Sequence, residues 1–221
     1  MNFVQRTFSS PIGMKAVMAV TGLAMVGFLI AHLAGNLLVF AGPEALSAYA
    51  RGLRKIEGIL WVMRSGLILS VFLHIASGIR LSLLNQRARP QKYAVKKRVK
   101  STFAASYMLL SGLVILSFIC FHLAHLTFRL THPEFAALDP FDIYQMMMIS
   151  FKSPVLCLFY SVSILLLMLH LNHGIASLFQ SLGIWHGNIN KFVQVLGAFL
   201  SFALGIGFLS IPTAIFFNLV Q

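Results

Sequence analysis

The chain has 221 residues, of which 58% are hydrophobic and 10% are charged, and its formal net charge at pH 7 is +12. Soluble domains carry about 25% charged residues, so this composition excludes a soluble globular protein and predicts a membrane protein. The two cysteines, Cys120 and Cys157, lie inside apolar segments and form no C-x-x-C pair. This excludes iron–sulfur clusters, c-type haem attachment and zinc ribbons.

Five apolar segments are long enough to cross a bilayer, which takes about 20 residues in a helix. They are residues 15–41, 59–84, 102–128, 154–182 and 192–219. "SSPIG" and "KSPV" predict the starts of the first and fourth helices, because proline suits the first helical turn. "AGPEA" predicts the end of the first helix. No small-residue cleavage site precedes this helix, so it is interpreted as an uncleaved span and not as a signal peptide. The predicted fold class is all-α: a single polytopic transmembrane domain over residues 1–221.

The second segment and the stretch between the third and fourth segments have additional features. The second contains Arg64 near its start and Arg80 near its end, and both side chains are expected to reach the membrane interfaces. Between the third and fourth segments, "LDPFDIYQMMMISF" contains an Asp followed by Pro. An Asp N-cap in this place predicts a short amphipathic helix lying on the membrane surface.

The basic residues are divided unevenly between the two sides of the membrane. The loop 80–100 holds eight Lys or Arg and no acid, and with Arg6, Lys15 and Lys191 it places eleven basic residues on one side. The other side has six basic residues and all five acids. The positive-inside rule predicts a cytoplasmic N-terminus and 80–100 loop, and an external C-terminus. Beside a membrane span, such a loop indicates topology or contact with lipid headgroups, not nucleic-acid binding.

Histidines occur in four neighbouring predicted spans, where ionisable groups are costly and usually functional. They are His32, His74, His122, His125, His170 and His173. The predicted orientation puts those of the first and third spans toward the outer face, and those of the second and fourth toward the cytoplasmic face. The sequence therefore predicts two stacked sites. A four-helix bundle forms them if the first span faces the third and the second faces the fourth.

The donor set indicates the chemistry. Two imidazoles from opposing helices, without cysteine or carboxylate, suit the iron of a b-type haem, whereas zinc takes four ligands or three plus water. Small residues follow the histidines by three or four positions and would let a porphyrin approach the helices; ordinary small-residue helix packing is the alternative. These are Gly35, Ser77, Gly78 and Gly174.

The sequence also distinguishes between the paired histidines. The four segments read "HLAGN", "HIASG", "HLAHL" and "HLNHG", and in this alignment the second histidine of each pair takes the place of Gly35 or Ser77. The first histidines, His122 and His170, are therefore the predicted ligands. His125 and His173 are predicted to hydrogen-bond a haem propionate or a quinone, with an ordinary buried histidine as the alternative.

Several segments of the chain resemble those of a known family. "SSPIGMKAVMAVTGL" and "HLAGNLLVF" near the start, and "HLNHGIASLFQSLGI" in the fourth span, resemble the cytochrome b558 subunit of succinate dehydrogenase and fumarate reductase. That subunit is a five-helix membrane anchor with two haem b groups. The resemblance implies His32 and His122 as axial ligands of the outer haem, and His74 and His170 as those of the inner haem.

The resemblance also implies the partners and the reaction. A flavoprotein subunit and an iron–sulfur subunit would dock on the cytoplasmic side of the inner (cytoplasmic) membrane. Electrons would pass through the haems between them and a membrane quinone, expected to be menaquinone. The chain itself would perform no dicarboxylate chemistry, but it would be the quinone-reactive subunit of an oxidoreductase.

One acid and two alternative functions complete the predictions. Some fumarate reductases of this family carry a carboxylate in the fifth helix, but here no predicted span has an internal acid; Glu57, at the outer end of the second, is the nearest candidate for an outer quinone site. The alternative for Glu57 is an ordinary acid at the membrane interface.

The first alternative function is the haem b anchor of a hydrogenase or formate dehydrogenase, against which the fourth-span motif argues. The second is a metal-ion transporter, which would be expected to carry carboxylates along its path.

Overall fold

The computed structural model describes residues 10–88, 107–184, 186–187 and 189–220, and within these ranges it contains helices and no strand. The α-helices are α1 (Pro11–Asn36), α2 (Pro43–Arg54), α3 (Glu57–Arg87), α4 (Met108–His122), α5 (Ile143–Phe151), α6 (Pro154–Ser181) and α7 (Ile189–Phe216). Five of them, α1, α3, α4, α6 and α7, are long and apolar enough to cross a membrane. The predicted all-α fold with five spans is confirmed.

The ends of the spans follow local chemistry. The side chain of Ser10 accepts a hydrogen bond from the backbone N–H of Gly13 at 3.0 Å, and Pro11 opens α1, as predicted. A 3₁₀ turn, Leu37–Ala41, extends α1 until Gly42, whose φ of 99° lies in the left-handed region that favours glycine. A π-helical turn, Leu123–Thr127, likewise extends α4.

The predicted basic loop begins later than expected. Helix α3 continues through Arg87, so the first third of the predicted 80–100 loop is helical. The reason is that the segment after Arg80, "LSLLNQR", contains no proline or glycine that would end a helix. The remainder of the loop, from residue 89 onward, lies outside the described residues.

Two short helices lie at one end of the bundle, and they pack against each other. Helix α2 was not predicted: Pro43, which ends the first span, also starts this helix. Helix α5 was predicted, but its cap is Asp142, which accepts from the backbone N–H of Gln145 at 3.0 Å, and not Asp139. We call the end covered by α2 and α5 the capped end.

Helix α5 is largely covered by other helices of the chain, and its predicted place at the membrane surface stays a prediction. Five of its residues are buried: Tyr144, Met146, Met147, Ser150 and Phe151. Its sequence is apolar around most of its circumference, and a helix of that kind is stable when it is covered on several sides. It packs against α2, α6 and α7.

Four of the long helices form a ring. In the described residues, α1 packs against α3 and α6, and α4 also packs against α3 and α6. Helices α1 and α4 therefore lie on one diagonal, and α3 and α6 on the other, as the sequence predicts. Helix α7 lies outside the ring against α6 and α1, where Gly205 faces Met168 and Gly207 faces Leu33.

Candidate functional site

One pair of predicted ligands meets near the capped end. His32, in the last turns of α1, and His122, the last residue of α4, have ring centroids 5.9 Å apart and ring planes at 88°. A metal–nitrogen bond is about 2 Å long, so two imidazoles on opposite sides of one metal ion have centroids about 6 Å apart. The diagonal helices thus bring these two rings to a spacing that fits one shared metal.

Each ring of this pair rests on a phenylalanine one turn earlier in its own helix. His32 stacks on Phe28 with centroids 5.1 Å apart, and His122 contacts Phe118 at 5.8 Å. These contacts restrict the side-chain rotamers of both histidines. Both histidines of the pair thus have an aromatic neighbour four residues earlier in their own helix.

The second pair lies on the other diagonal, farther from the capped end. It consists of His74, in the middle of α3, and His170, in the second half of α6. Nδ1 of His74 lies 3.1 Å from the backbone oxygen of Met18 and 3.3 Å from Oγ1 of Thr21, both on α1. Nδ1 of His170 lies 3.1 Å from Oγ of Ser111 on α4. A neighbouring span thus holds each imidazole.

The direction of these hydrogen bonds indicates which ring nitrogen is available. Thr21 donates its hydroxyl proton to the backbone oxygen of Val17 at 2.8 Å, and Ser111 donates its own to that of Met108 at 3.1 Å. The backbone oxygen of Met18 can only accept, so Nδ1 of His74 carries a proton; Nδ1 of His170 carries one in the arrangement in which Ser111 donates to Met108. Nε2 of each ring keeps its lone pair and has no hydrogen-bond partner among the described residues, which is the arrangement typical of a metal-ligating histidine.

The two histidines of the third span differ in how many of their ring nitrogens are hydrogen-bonded. His125 is fully buried, and its Nδ1 lies 2.8 Å from Oη of Tyr160 while its Nε2 lies 2.9 Å from Oγ of Ser150. Both nitrogens are therefore hydrogen-bonded to protein groups, as in the alternative of an ordinary buried histidine; a hydrogen bond from His125 to a propionate or quinone stays a prediction. His122 uses only Nδ1, 3.3 Å from the same Tyr160 hydroxyl. His122 therefore has one ring nitrogen without a hydrogen-bond partner among the described residues and His125 has none; the choice of His122 as the ligand stays a prediction.

His173, the second histidine of the fourth span, has a local partner. Its Nε2 lies 3.1 Å from Oγ of Ser177, one turn later in the same helix. No described residue of another helix forms a hydrogen bond with it, whereas Ser111 on α4 holds His170. The two histidines of α6 are thus anchored differently.

The glycines that approach imidazoles are not those that the sequence analysis selected. A Cβ on Gly22 would lie 3.4 Å from Cε1 of His74, and one on Gly112 would lie 3.6 Å from Cε1 of His170. At Gly35 a Cβ would lie 2.6 Å from the ring of Tyr49, so this glycine makes room for an aromatic side chain of α2. Gly35 therefore serves ordinary small-residue packing between helices.

The other predicted small residues are less constrained. A Cβ on Gly78 would lie 3.9 Å from Sδ of Met18, an ordinary contact, and one on Gly174 would meet nothing within 4 Å among the described residues. Ser77 is buried. Of the four, Gly174 on α6 leaves the most space beside its helix.

An internal repeat is the signal that could have identified the missed residues. "TGLAMVGFLIAHLA" at 21–34 and "SGLVILSFICFHLA" at 111–124 align without a gap. In each copy a hydroxyl residue and a glycine, Thr21–Gly22 or Ser111–Gly112, precede the histidine of the capped-end pair. The hydroxyl and the glycine contact the histidine of the other pair, so the α1–α3 and α4–α6 interfaces share the same contact.

Glu57 lies in the first turn of α3, at the capped end. It pairs with Arg54 at 3.8 Å, and both side chains are 57% exposed. In the described part of the chain no group of three or more His, Cys, Asp or Glu side chains is arranged to hold a metal ion. The donor sets that the fold does assemble are the two pairs of imidazoles.

The chain matches no protein-family model, no curated protein and no solved structure with which it was compared. The two histidine pairs and their partners are therefore the basis for assigning a function.

Proposed function

We propose that this chain is the dihaem cytochrome b membrane subunit of a succinate:quinone oxidoreductase, either a succinate dehydrogenase or a fumarate reductase. The observation that carries the proposal is the placement of imidazoles on both diagonals of one four-helix ring, with His32 and His122 in ring contact. Three of the four candidate ligands, His74, His122 and His170, have Nδ1 beside a fixed protein oxygen. That leaves Nε2 for iron, as haem ligation by histidine requires.

The residues fit two haem b groups. His32 and His122 would hold the outer haem, and His74 and His170 the inner one. When bound, each haem supplies a one-electron carrier. Thr21, Ser111 and Tyr160 orient the imidazoles, and the apolar side chains of the spans keep water away from them.

The proposal also includes the membrane, the orientation of the chain and its partner subunits. The chain would lie in the inner (cytoplasmic) membrane with the N-terminus and the basic loop in the cytoplasm and the C-terminus outside. A flavoprotein subunit and an iron–sulfur subunit would dock on that basic side, and electrons would pass through the haems to or from a quinone, expected to be menaquinone. The uneven division of the basic residues supports this orientation. Glu57, exposed at the capped end, is the candidate acid for an outer quinone site.

The test is haem quantification on the complex purified from membranes. A reduced-minus-oxidised spectrum and a pyridine haemochrome assay should give two haem b groups per chain, both low-spin. One haem per chain, or none, would reject the proposal. The co-purifying subunits then distinguish this function from that of a hydrogenase or formate dehydrogenase anchor, and a metal-ion transporter would give no haem spectrum.

A further inference from the structure

A chain of hydrogen bonds connects His122 to the short helix α5. From His122 Nδ1 it runs 3.3 Å to the hydroxyl of Tyr160, and from there 2.8 Å to Nδ1 of His125. From His125 Nε2 it runs 2.9 Å to Oγ of Ser150, which is 2.6 Å from the backbone oxygen of Met146. The members come from α4 and its π-helical turn, from α6 and from α5.

The far end of this chain sets the direction of its last two bonds. A backbone oxygen can only accept, so Ser150 donates its single proton to Met146. The Ser150 oxygen must then accept from Nε2–H of His125. A neutral imidazole that carries its proton on Nε2 has an acceptor at Nδ1, and Tyr160 is therefore the donor to His125.

The direction of the first bond follows. Tyr160 has one proton, which it gives to His125, so toward His122 its oxygen can only accept. His122 is consequently held with its proton on Nδ1 and its lone pair on Nε2. This is the tautomer that binds a metal through Nε2.

We infer that Tyr160 is a positioning residue for the outer haem, and that His125 and Ser150 fix its hydroxyl so that it accepts from His122. The inference rests on the function proposed above and adds a specific tuning of one of the two sites. His125 and Ser150 are fully buried, and Tyr160 is 4% exposed. In such surroundings water does not compete for the bonds, and successive hydrogen bonds strengthen one another.

The arrangement has a predictable electronic effect. An acceptor at Nδ1–H makes an imidazole a more basic ligand, and a more basic ligand favours ferric over ferrous iron. Removal of the Tyr160 hydroxyl should therefore raise the midpoint potential of the outer haem. Loss of such a partner weakens metal binding by about 10–100-fold, and the ferric form loses more because it gains more from a basic ligand. A tenfold weaker preference for ferric iron corresponds to a rise of about 59 mV in a one-electron couple.

The experiment is a redox titration with low-temperature EPR of the assembled membrane complex carrying Tyr160→Phe. We expect both haems to remain bound. The midpoint potential of the outer haem should rise by about 59 mV or more, which is a tenfold change in the preference for ferric iron, and its low-spin EPR signal should shift. The inner haem should not change. Ser150→Ala should shift the outer haem in the same direction by less, because Tyr160 would remain but lose its fixed orientation.

Two controls make the result specific. Ser163→Ala removes a buried hydroxyl from the same helix, one whose single hydrogen bond among the described residues goes to the backbone oxygen of Phe159, and should change the potential of neither haem. The double variant Tyr160→Phe/Ser150→Ala should shift no further than Tyr160→Phe alone, because the two residues act in series.

The outcomes are distinguishable. Two haems with an unchanged outer potential and EPR signal in Tyr160→Phe would overturn the inference and leave the proposed function intact, whereas absence of haem from the unaltered complex would overturn both. If Tyr160→Phe does not accumulate, Ser150→Ala decides: a rise in the outer potential supports the inference and an unchanged potential overturns it.

Discussion

Ser111 on α4 and His170 on α6 are joined by a hydrogen bond of 3.1 Å between the serine hydroxyl and Nδ1 of the imidazole. Because Ser111 gives its own proton to Met108, it accepts from the ring and keeps Nε2 of His170 available. His173, three residues later, bonds through Nε2 to Ser177 of its own helix. The bundle therefore orients one of these two imidazoles across the helix interface and leaves the other to its own helix.

From this difference we expect His170→Ala to abolish the inner haem, because the iron would lose one of its two strong axial ligands. His173→Ala should leave that haem bound. Haem content and low-spin spectra of the variants in assembled membranes measure both effects. If His173→Ala removes the inner haem and His170→Ala spares it, the ligand assignment on α6 is wrong.

The same contrast should hold on α4 and its π-helical turn. His122→Ala should remove the outer haem. His125→Ala should retain it, since both nitrogens of His125 already bond to Tyr160 and Ser150. The outer haem of His125→Ala should still show an altered potential. Retention of the outer haem in His122→Ala would contradict the assignment.

The diagonal pairing predicts matched losses. His32→Ala should have the spectrum of His122→Ala, and His74→Ala that of His170→Ala, because each pair would share one iron. Difference spectra and potentiometric titration identify which haem each variant retains. If His32→Ala instead matched His170→Ala, the ligands would not be paired along the diagonals.

The division of basic residues predicts the orientation in the membrane. Reporter fusions at Tyr93, in the stretch outside the described residues, and after Gln221 should report a cytoplasmic loop and an external C-terminus. Phosphatase and fluorescent-protein activities provide the measurement. An external signal at Tyr93 would invert the two sites, so that His74 and His170 would lie nearer the outer face.

Gly35 and Gly27, on the same helix, should respond differently to a methyl group. Gly27→Ala meets nothing within 4 Å among the described residues, so it should gain up to about 1 kcal/mol from helix propensity. Gly35→Ala must displace the ring of Tyr49, which a Cβ would approach to 2.6 Å. Overpacking costs about 1–3 kcal/mol, and because Tyr49 is 40% exposed and its ring can move outward, we expect Gly35→Ala to be less stable than Gly27→Ala by an amount near the lower end of that range.

Thermal unfolding of the two variants in detergent, followed by circular dichroism, measures this difference. Gly35→Ala combined with Tyr49→Leu should recover part of the loss, because leucine lacks the ring atoms nearest to the glycine. Equal unfolding temperatures for Gly35→Ala and Gly27→Ala would contradict the contact between Gly35 and Tyr49.

Much of the fold was predictable from the sequence alone. A bilayer accepts only long apolar helices whose backbone groups are paired internally, so the number of spans follows from hydrophobicity and length. The start of α1 follows from Ser10 and Pro11, which act locally. Helix α5 was harder to place, because Asp139 and Asp142 both suit an N-cap, and only packing against three other helices decides where the helix begins and which of its faces is covered.

The order of the amino acids is enough to show which spans carry histidines, how far along each span they lie, and that the first of each pair aligns with His32 and His74. The groups that hold these histidines follow from the packing of the helices: Thr21 beside His74, Ser111 beside His170, and Tyr160 between His122 and His125. These partners are 35 to 59 positions apart in the chain. Whether two such side chains meet depends on how each helix is rotated about its axis and on how deeply its neighbour packs. That rotation is set by close contacts across the ring, such as Gly22 under His74 and Gly112 under His170, and not by the pattern within any single segment.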